Sequence, residues 1–423
     1  MDSNTRRIAQ RRFRLFWVLN AVPVAFLLDD ILVLYGIRNG LPEPALAAVV
    51  SFVPLAMPFM LLGRLFTARW GLSGGWARAY SIRYAAVLVL VAVPWITLQP
   101  ARTALFLAGA FVFATFRAVG VINMHPLNGE ITTDNDRGRY LHTNFALFNG
   151  VYVLAVIATI VATRFFESTW IYQGMIVFGV LVGFTSLAVL RGVPESGEGR
   201  QAAREPFFRL LQEVRREIRL GVLIPAWAGG QMAFGLVIPF AVMFLKNGYG
   251  IDDYAALFFT LLTLLGSVVS GIVNRRIAGR LVQPDTLIVL YAATLVGLAA
   301  FWAFAPPFIV YPLVAAAFFL GGISRAGIIV GLQHHLISQN RPEHRMHVSL
   351  LVELTGSAVS GLSGTVIGGL LLQYFSSRTT GFSVYHGYFR VIFVVLLGAL
   401  FFVQRIRKDR ETPPQVPLPA GSR

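Results

Sequence analysis

The sequence predicts an all-α membrane protein of about twelve transmembrane helices arranged as two six-helix repeats. Hydrophobic residues make up 56% of the 423 positions and charged residues 13%, which is too apolar for ordinary soluble domains. Apolar runs of about 20 residues recur along nearly the whole chain, and each can cross a hydrocarbon core of about 30 Å as a helix. The distribution of basic residues and an internal repeat, described below, give the number of spans and their division into halves.

The apolar runs between charged or Pro/Gly-rich breaks define the spans. The first run, from Phe13 to Tyr35, follows several arginines, as in a signal peptide. It is longer than a typical signal-peptide core and contains Asp29 and Asp30 in place of a small-residue cleavage site, so we expect it to be retained as a span. The predicted spans, numbered one to twelve, are 13–36, 45–66, 79–98, 102–124, 142–164, 170–190, 219–244, 253–274, 285–305, 308–335, 347–374 and 386–404.

The placement of Lys and Arg predicts the orientation. With an even number of spans, 28 of the 36 basic residues lie on the side of the termini, six lie on the other side, and Arg117 and Arg325 lie inside spans. We term these sides the arginine-rich and arginine-poor sides. The positive-inside rule then predicts cytoplasmic termini in the cell (inner) membrane. The same placement accounts for the net charge of +16 without a nucleic-acid partner.

The spans group into predicted domains, which have the following boundaries. They are a cytoplasmic N-terminal segment (1–12), an N-terminal six-helix half (13–190), a cytoplasmic linker (191–218), a C-terminal six-helix half (219–404) and a cytoplasmic tail (405–423).

Polar landmarks recur at a shift of 208 residues. The shift pairs Gly63 with Gly271, and Arg117 with Arg325. Charged residues are scarce in this chain, so their coincidence carries more weight than that of apolar residues. The shift maps spans one, two, four and five onto spans seven, eight, ten and eleven, which indicates a parallel 6+6 duplication. Further pairs are Gly71 with Gly279, Arg137 with Arg345, and Arg38-Asn39-Gly40 with Lys246-Asn247-Gly248.

Three features are characteristic of one known family: the 6+6 organisation, Arg117 with Gly120 in span four, and the Asp136-Arg137-Gly138-Arg139 stretch after that span. By these features the chain resembles, over nearly its full length, the major facilitator superfamily (MFS). The motif between spans two and three is degenerate, because Thr67 stands where the family usually has Asp and Gly71 falls one position late. The resemblance implies alternating access, in which two halves rock about a site lined by spans one, four, seven and ten.

Ionisable and polar side chains within spans are the candidates for binding solute or a coupling proton or cation, because they are costly in lipid unless they face a cavity or a partner. A buried Asp can carry a proton, whereas Arg keeps its charge and suits a counter-ion or an anionic solute. These candidates are Asp29, Asp30, Arg117, Arg325, Asn20 and Gln231. The candidates for a cytoplasmic gate are Glu130, Asp136, Arg137, Arg345 and Glu353.

These features predict a secondary active transporter of a small solute across the lipid bilayer, coupled to protons as a symporter or antiporter. The alternatives are a non-transporting membrane assembly or sensor protein with a transporter fold, or an efflux antiporter for drugs or metabolites. No catalytic residue, metal site or cofactor is predicted, since the chain has no cysteine, no phosphate-binding loop and no clustered nucleophile or carboxylate pair. An enzyme is therefore disfavoured.

Overall fold

The computed structural model describes residues 1–27, 29–165, 168–206, 220–251, 253–277 and 283–410. The described residues form α-helices joined by short connections, as a lipid-embedded chain requires to satisfy its backbone hydrogen bonds. The helices are α1 Ser3–Leu27, α2 Asp29–Arg38, α3 Glu43–Ala56, α4 Met60–Val89, α5 Gln99–Val121, α6 Met124–Ile131, α7 Arg137–Phe165, α8 Thr169–Arg191, α9 Glu198–Arg204, α10 Leu220–Met243, α11 Asp253–Ile277, α12 Pro284–Ala303, α13 Tyr311–Gln339, α14 Arg345–Leu362, α15 Gly369–Ser376 and α16 Phe382–Arg410.

Eleven helical segments among the described residues are long and apolar enough to cross a membrane. One of them, Ser51–Trp95, has 45 residues, about twice the length that a span needs. It is interrupted at Gly71, whose φ of 82° is not helical, and it covers predicted spans two and three. Counting it as two spans gives the twelve that the sequence predicts, and the all-α fold class is confirmed.

Several spans are interrupted within the membrane. A 3₁₀ turn, Met57–Phe59, divides span two just after Pro54. A π-helical stretch, Ser363–Gly368, divides span eleven. Such breaks leave backbone groups that lipid cannot satisfy, so they are tolerated where protein or a cavity faces them. Both interruptions lie beside residues that line the cavity described below.

Two of the contacts between the halves are related by the repeat. In the first, α7 of span five packs on α11 of span eight. A Cβ added at Gly271 would lie only 2.7 Å from Ala146 Cβ, so this crossing is close. In the second, α3 and the 3₁₀ turn of span two contact α14 of span eleven over a smaller area. The shift of 208 maps span two onto eight and five onto eleven. The contact of span five with span eight and the contact of span eleven with span two therefore join equivalent spans, although the two contacts differ in extent.

Span one packs within its own half. Its helix α1 lies against α7 and α8, with the Trp17 ring centroid 6.0 Å from that of Trp76 and 5.4 Å from that of Phe148. Aromatic pairs at these separations stabilise helix packing. Trp17 is therefore a packing residue in this conformation.

Candidate functional site

A cavity of about 340 Å³ lies between the two halves. We term it the central cavity. Spans two, four, seven, nine, ten and eleven all contribute to its wall, whereas none of the described lining residues comes from span one. The residues that line it are Val53, Pro54, Arg117, Trp227, Gly230, Gln231, Phe234, Leu295, Arg325, Ile328, Ile329, Leu332, Ser357, Ser360 and Gly361.

Arg117 and Arg325 both line the central cavity. Each lies near the middle of a long membrane-crossing segment, Gln99–Ile131 and Tyr311–Gln339 respectively. The Arg325 guanidinium lies 4.1 Å from the centre of the Phe234 ring, a cation–π contact. Its buried Nε has no hydrogen-bond partner among the described residues. The pairing that the repeat predicted thus places two arginines on one cavity at mid-membrane depth.

The rest of the cavity wall is mainly apolar, with a few polar groups. Gln231 from span seven and Ser357 and Ser360 from span eleven supply amide and hydroxyl groups. Trp227 is held close to span eleven, because a Cβ added at Gly356 would lie 2.6 Å from Trp227 Cδ1. The buried Trp227 Nε1 has no hydrogen-bond partner among the described residues. An apolar wall with a few convergent polar groups is typical of a small-molecule site.

A buried pair joins the two halves on the arginine-rich side of the cavity. His125 Nε2 of α6 and Glu353 Oε1 of α14 are 2.9 Å apart, and their side chains are 1% and 15% exposed. The His125 ring also meets the edge of Trp227 at a centroid distance of 5.6 Å. The sequence suggested that Glu353 pairs with the first half as a gate, and the structure brings it to His125.

Arg137 and Arg345 occupy related positions at the arginine-rich ends of spans five and eleven. Arg137 donates from Nη1 to Asp134 Oδ1 at 2.5 Å and from Nε to Thr132 Oγ1 at 3.2 Å. Arg345 Nε donates to the carbonyl oxygens of Ile337 and Asn340, each at 3.2 Å, at the end of α13. These contacts lie within each half.

Arg345 also reaches the other half. A Cβ added at Gly129 would lie 2.7 Å from Arg345 Nη1, so the glycine leaves room for the guanidinium. Asp136, by contrast, organises its own half, since Oδ2 accepts from Gln10 Nε2 at 2.7 Å and Oδ1 accepts from Thr133 N at 2.6 Å.

Two glutamates hold the segment after span six to the first half. Glu130 accepts hydrogen bonds from the backbone N–H groups of Ser196 (2.7 Å) and Gly199 (2.8 Å) at the start of α9. Glu195 accepts from Leu72 N at 2.6 Å, where the helix of span three begins after Gly71. Carboxylates at helix N-termini satisfy free N–H groups and oppose the helix dipole. The predicted gate residue Glu130 is thus a helix cap in this conformation.

Glu195→Ala is expected to lower the stability by about 1 kcal/mol, because the cap at Leu72 is lost. Burial raises the pKa of Glu195, so the folded protein holds this proton more tightly than the unfolded chain does. The pH-dependent part of its contribution to stability is therefore complete below the unfolded pKa of about 4.3 and is lost as the pH rises through the raised folded pKa. Glu195→Gln keeps an acceptor without the charge, so its melting temperature at neutral pH should equal or exceed wild type.

Thermal unfolding of the three proteins in detergent at acidic and neutral pH tests this expectation. Equal melting temperatures for Glu195→Ala and wild type would show that the cap does not contribute.

The remaining predicted site residues are distributed as follows. Gln231 lines the cavity. Asn20 is 2% exposed and its Oδ1 accepts from Tyr84 Oη at 2.8 Å within the first half, so it lies among packing residues away from the described cavity lining. The backbone of Asp29 and Asp30 begins α2, but their side chains lie outside the described residues. Their predicted role stays a prediction.

Sequence reasoning missed Phe234, Ser357 and Ser360. Phe234 was one of 34 phenylalanines, and only the fold brings its ring to Arg325. A signal for the serines was available, because Ser357 and Ser360 are spaced three apart on a helix and therefore share a face.

The comparisons with known proteins agree with this geometry. A sequence profile described as Major Facilitator Superfamily matches residues 40–358. No curated protein sequence matches significantly. Three solved structures are similar to the whole chain: the E. coli fucose:proton symporter FucP (12% identity, TM-score 0.70, 95% of this chain and 98% of that chain), the human organic anion transporter TETRAN (14%, 0.65, 96% and 100%), and the proton:xylose symporter XylE (12%, 0.69, 96% and 96%).

At these identities the structural likeness concerns the fold, whereas the profile match concerns the sequence over most of the chain. The likeness to these structures agrees with the all-α membrane fold. The chain is therefore a multi-pass membrane protein with the fold of secondary transporters, and it belongs to the Major Facilitator Superfamily.

Proposed function

We propose that the protein is a proton-coupled secondary active transporter of a small solute, working by alternating access about the central cavity. The observation that carries this proposal is the cavity between the halves, lined by the repeat-related Arg117 and Arg325. The buried His125–Glu353 pair lies on its arginine-rich side and joins the halves. We place that side in the cytoplasm because of the distribution of basic residues.

In this mechanism the His125–Glu353 contact holds the cytoplasmic side closed while solute exchanges with the opposite side. Opening to the cytoplasm requires the two side chains to separate and Arg345 to leave Gly129. Solute in the cavity contacts both halves, since the wall includes residues of spans two and four as well as seven and ten. Its binding can therefore favour one arrangement of the halves over the other.

Proton coupling requires a side chain that gains and loses a proton during the cycle, and a buried carboxylate can do so. Asp29 and Asp30 in span one are our proposed proton carriers. A carboxylate within a span carries a free-energy cost unless it faces a cavity or a partner, so such a residue is a candidate for function. Two of the structurally similar proteins, FucP and XylE, are described as proton symporters, which supports this type of coupling.

Counterflow in proteoliposomes tests the function. Purified protein is reconstituted, loaded with each solute of a metabolite and drug panel, and assayed with and without an imposed pH gradient. Exchange of at least one solute, with accumulation that follows the pH gradient, is the expected result. If no solute exchanges although tryptophan fluorescence shows a folded protein, the chain is a non-transporting member of the fold and the proposal fails.

Asp29→Asn and Asp30→Asn, made separately, test the coupling. We expect one of them to abolish accumulation driven by the pH gradient, while counterflow, which needs no proton movement, continues. Asp2→Asn, in the exposed N-terminal segment, is the control and should behave as wild type. Unchanged gradient-driven accumulation in both span-one variants would rule these carboxylates out and direct attention to Glu353.

A further inference from the structure

We infer that the solute is a small organic anion, whose acidic group binds at Arg325 and whose apolar body lies against the remainder of the central cavity. This inference deepens the proposed function and rests on it. Its basis is the charge of Arg325, the buried hydrogen-bond donors of the wall and the apolar lining of the cavity.

The described ionisable residues of the cavity wall are basic. They are Arg117 and Arg325, and none of the described lining residues is acidic. A guanidinium keeps its proton, so it cannot escape the cost of burial by becoming neutral. The guanidinium of Arg325, at mid-membrane depth, therefore favours a ligand of opposite charge.

The unused polar atoms of the wall are hydrogen-bond donors. Arg325 Nε and Trp227 Nε1 are both buried and have no partner among the described residues, and neither group can accept a hydrogen bond. The contact of the Arg325 guanidinium with the Phe234 ring supplies no oxygen acceptor for its N–H groups. Carboxylate and phosphate oxygens are the acceptors that match such donors, since they bind guanidinium groups in its plane.

The rest of the wall indicates an apolar body on the ligand. Most of the other lining residues are apolar, including Leu295, Ile328 and Leu332. The volume of about 340 Å³ lies at the small end of the range for ligand pockets. A bare inorganic anion would leave this surface unfilled, whereas a carboxylate or phosphate ester with an alkyl or aryl body would cover it.

Matched pairs of probes test the inference. The probes are alkyl and aryl carboxylates and phosphate monoesters, each with its neutral amide or alcohol. Binding to the detergent-solubilised full-length chain is measured by tryptophan quenching and thermal shift, and exchange by counterflow in proteoliposomes. We expect acids to bind and neutral partners not to, with quenching reduced in Trp227→Phe because that indole lines the cavity. The carboxylate and phosphate arms show which acidic group is preferred.

Variants of Arg325 assign the site. Arg325→Gln should weaken binding of the acids by about ten- to hundredfold, Arg325→Lys by less, and Arg378→Gln, in an exposed arginine on the arginine-poor side, not at all. The melting temperature of each unliganded variant shows whether it is folded, and Arg325→Lys keeps the test valid if Arg325→Gln does not fold.

The two proposals fail in different ways. The anion inference is overturned if no acid binds, if neutral partners bind as tightly as the acids, or if folded Arg325→Gln or Arg325→Lys binds the acids with wild-type affinity. It is also overturned if Arg325→Gln loses only the response to the pH gradient, which would make Arg325 a counter-ion for a span-one carboxylate. Acid binding that depends on Arg325 but is accompanied by no exchange of any solute would instead contradict the transport function.

Discussion

Gly322→Ala is expected to destabilise the protein strongly, because the added methyl group has no room at the crossing of spans eight and ten. Its Cβ would overlap the carbonyl oxygen of Thr263 and lie 2.7 Å from the carbonyl carbon. Both obstructing atoms belong to the backbone, so the two helices must separate. Separation would also weaken the hydrogen bond from Ser267 Oγ to the Gly322 carbonyl oxygen, now 3.0 Å long. Overpacking and a lost hydrogen bond together cost about 2–4 kcal/mol.

Gly297→Ala is the matched control, since no atom lies within 4 Å of a Cβ added there. It lies in helix α12 of the same half, and alanine has the higher helix propensity, so its stability should be equal or slightly greater. Thermal unfolding in detergent, followed by size-exclusion chromatography, compares the two variants with wild type. Equal melting temperatures for Gly322→Ala and Gly297→Ala would show that this crossing has more space than the structure indicates.

Glu353→Gln is expected to shift the protein towards states that are open on the arginine-rich side. The carboxylate faces His125 across the two halves and is 15% exposed, and a charged hydrogen bond contributes about 1.5–3 kcal/mol. Losing about 1.4 kcal/mol of this preference changes the ratio of two conformations by about tenfold. The chain has no cysteine, so a single Ser360→Cys substitution places one thiol on the cavity wall for labelling by a membrane-impermeant reagent.

We expect the labelling rate from the arginine-rich side to rise about tenfold in the Glu353→Gln background, in line with that change in populations. His125→Gln should give a similar rise, and the double variant should add little to either, because all three remove the same contact. Glu343→Gln changes an exposed carboxylate nearby and should leave the rate unchanged. Additive effects of the two single changes would mean that the side chains act separately and do not form a gate.

The twelve spans and the position of the cavity arginines could be predicted because both follow from strong constraints. Lipid forces helices of a definite length. The repeat shift linked Arg117 to Arg325, and both line the same cavity. Gln231 was found for a related reason, since an amide on span seven is rare enough to stand out from an apolar background.

Other features could not be predicted because they depend on packing between distant segments. Arg83 was counted with the arginine-rich connections, yet its side chain is 1% exposed and lies 4.3 Å from the Phe113 ring centre. An aromatic surrounding can hold such a guanidinium inside a half, but hydropathy does not reveal it. Asn20 was predicted to bind solute because of its amide. In the structure the amide oxygen instead accepts a hydrogen bond from Tyr84, and sequence spacing does not show the helix crossing that brings the two residues together.

The degenerate motif between spans two and three has a structural explanation. Gly71, which falls one position late, adopts a φ of 82° where span two ends, a conformation that favours glycine. A Cβ there would lie 2.9 Å from the Glu195 carboxyl carbon. Gly71 therefore forms a turn and leaves room for Glu195, which lies 124 positions further along the chain. A motif of neighbouring residues could not indicate this contact.

The carboxylate contacts after span six also define where one half ends as a physical unit. Glu130 and Glu195 cap helices of the first half and its extension, and Arg64 Nη2 donates to the carbonyl oxygen of Ala203 at 3.4 Å. Residues 193–205 consequently move with the first half, although they follow its last span. A split protein made for co-expression should therefore be cut after Glu205, because a fragment ending at Arg191 would lack α9 and the hydrogen-bond partners of Glu130 and Arg64.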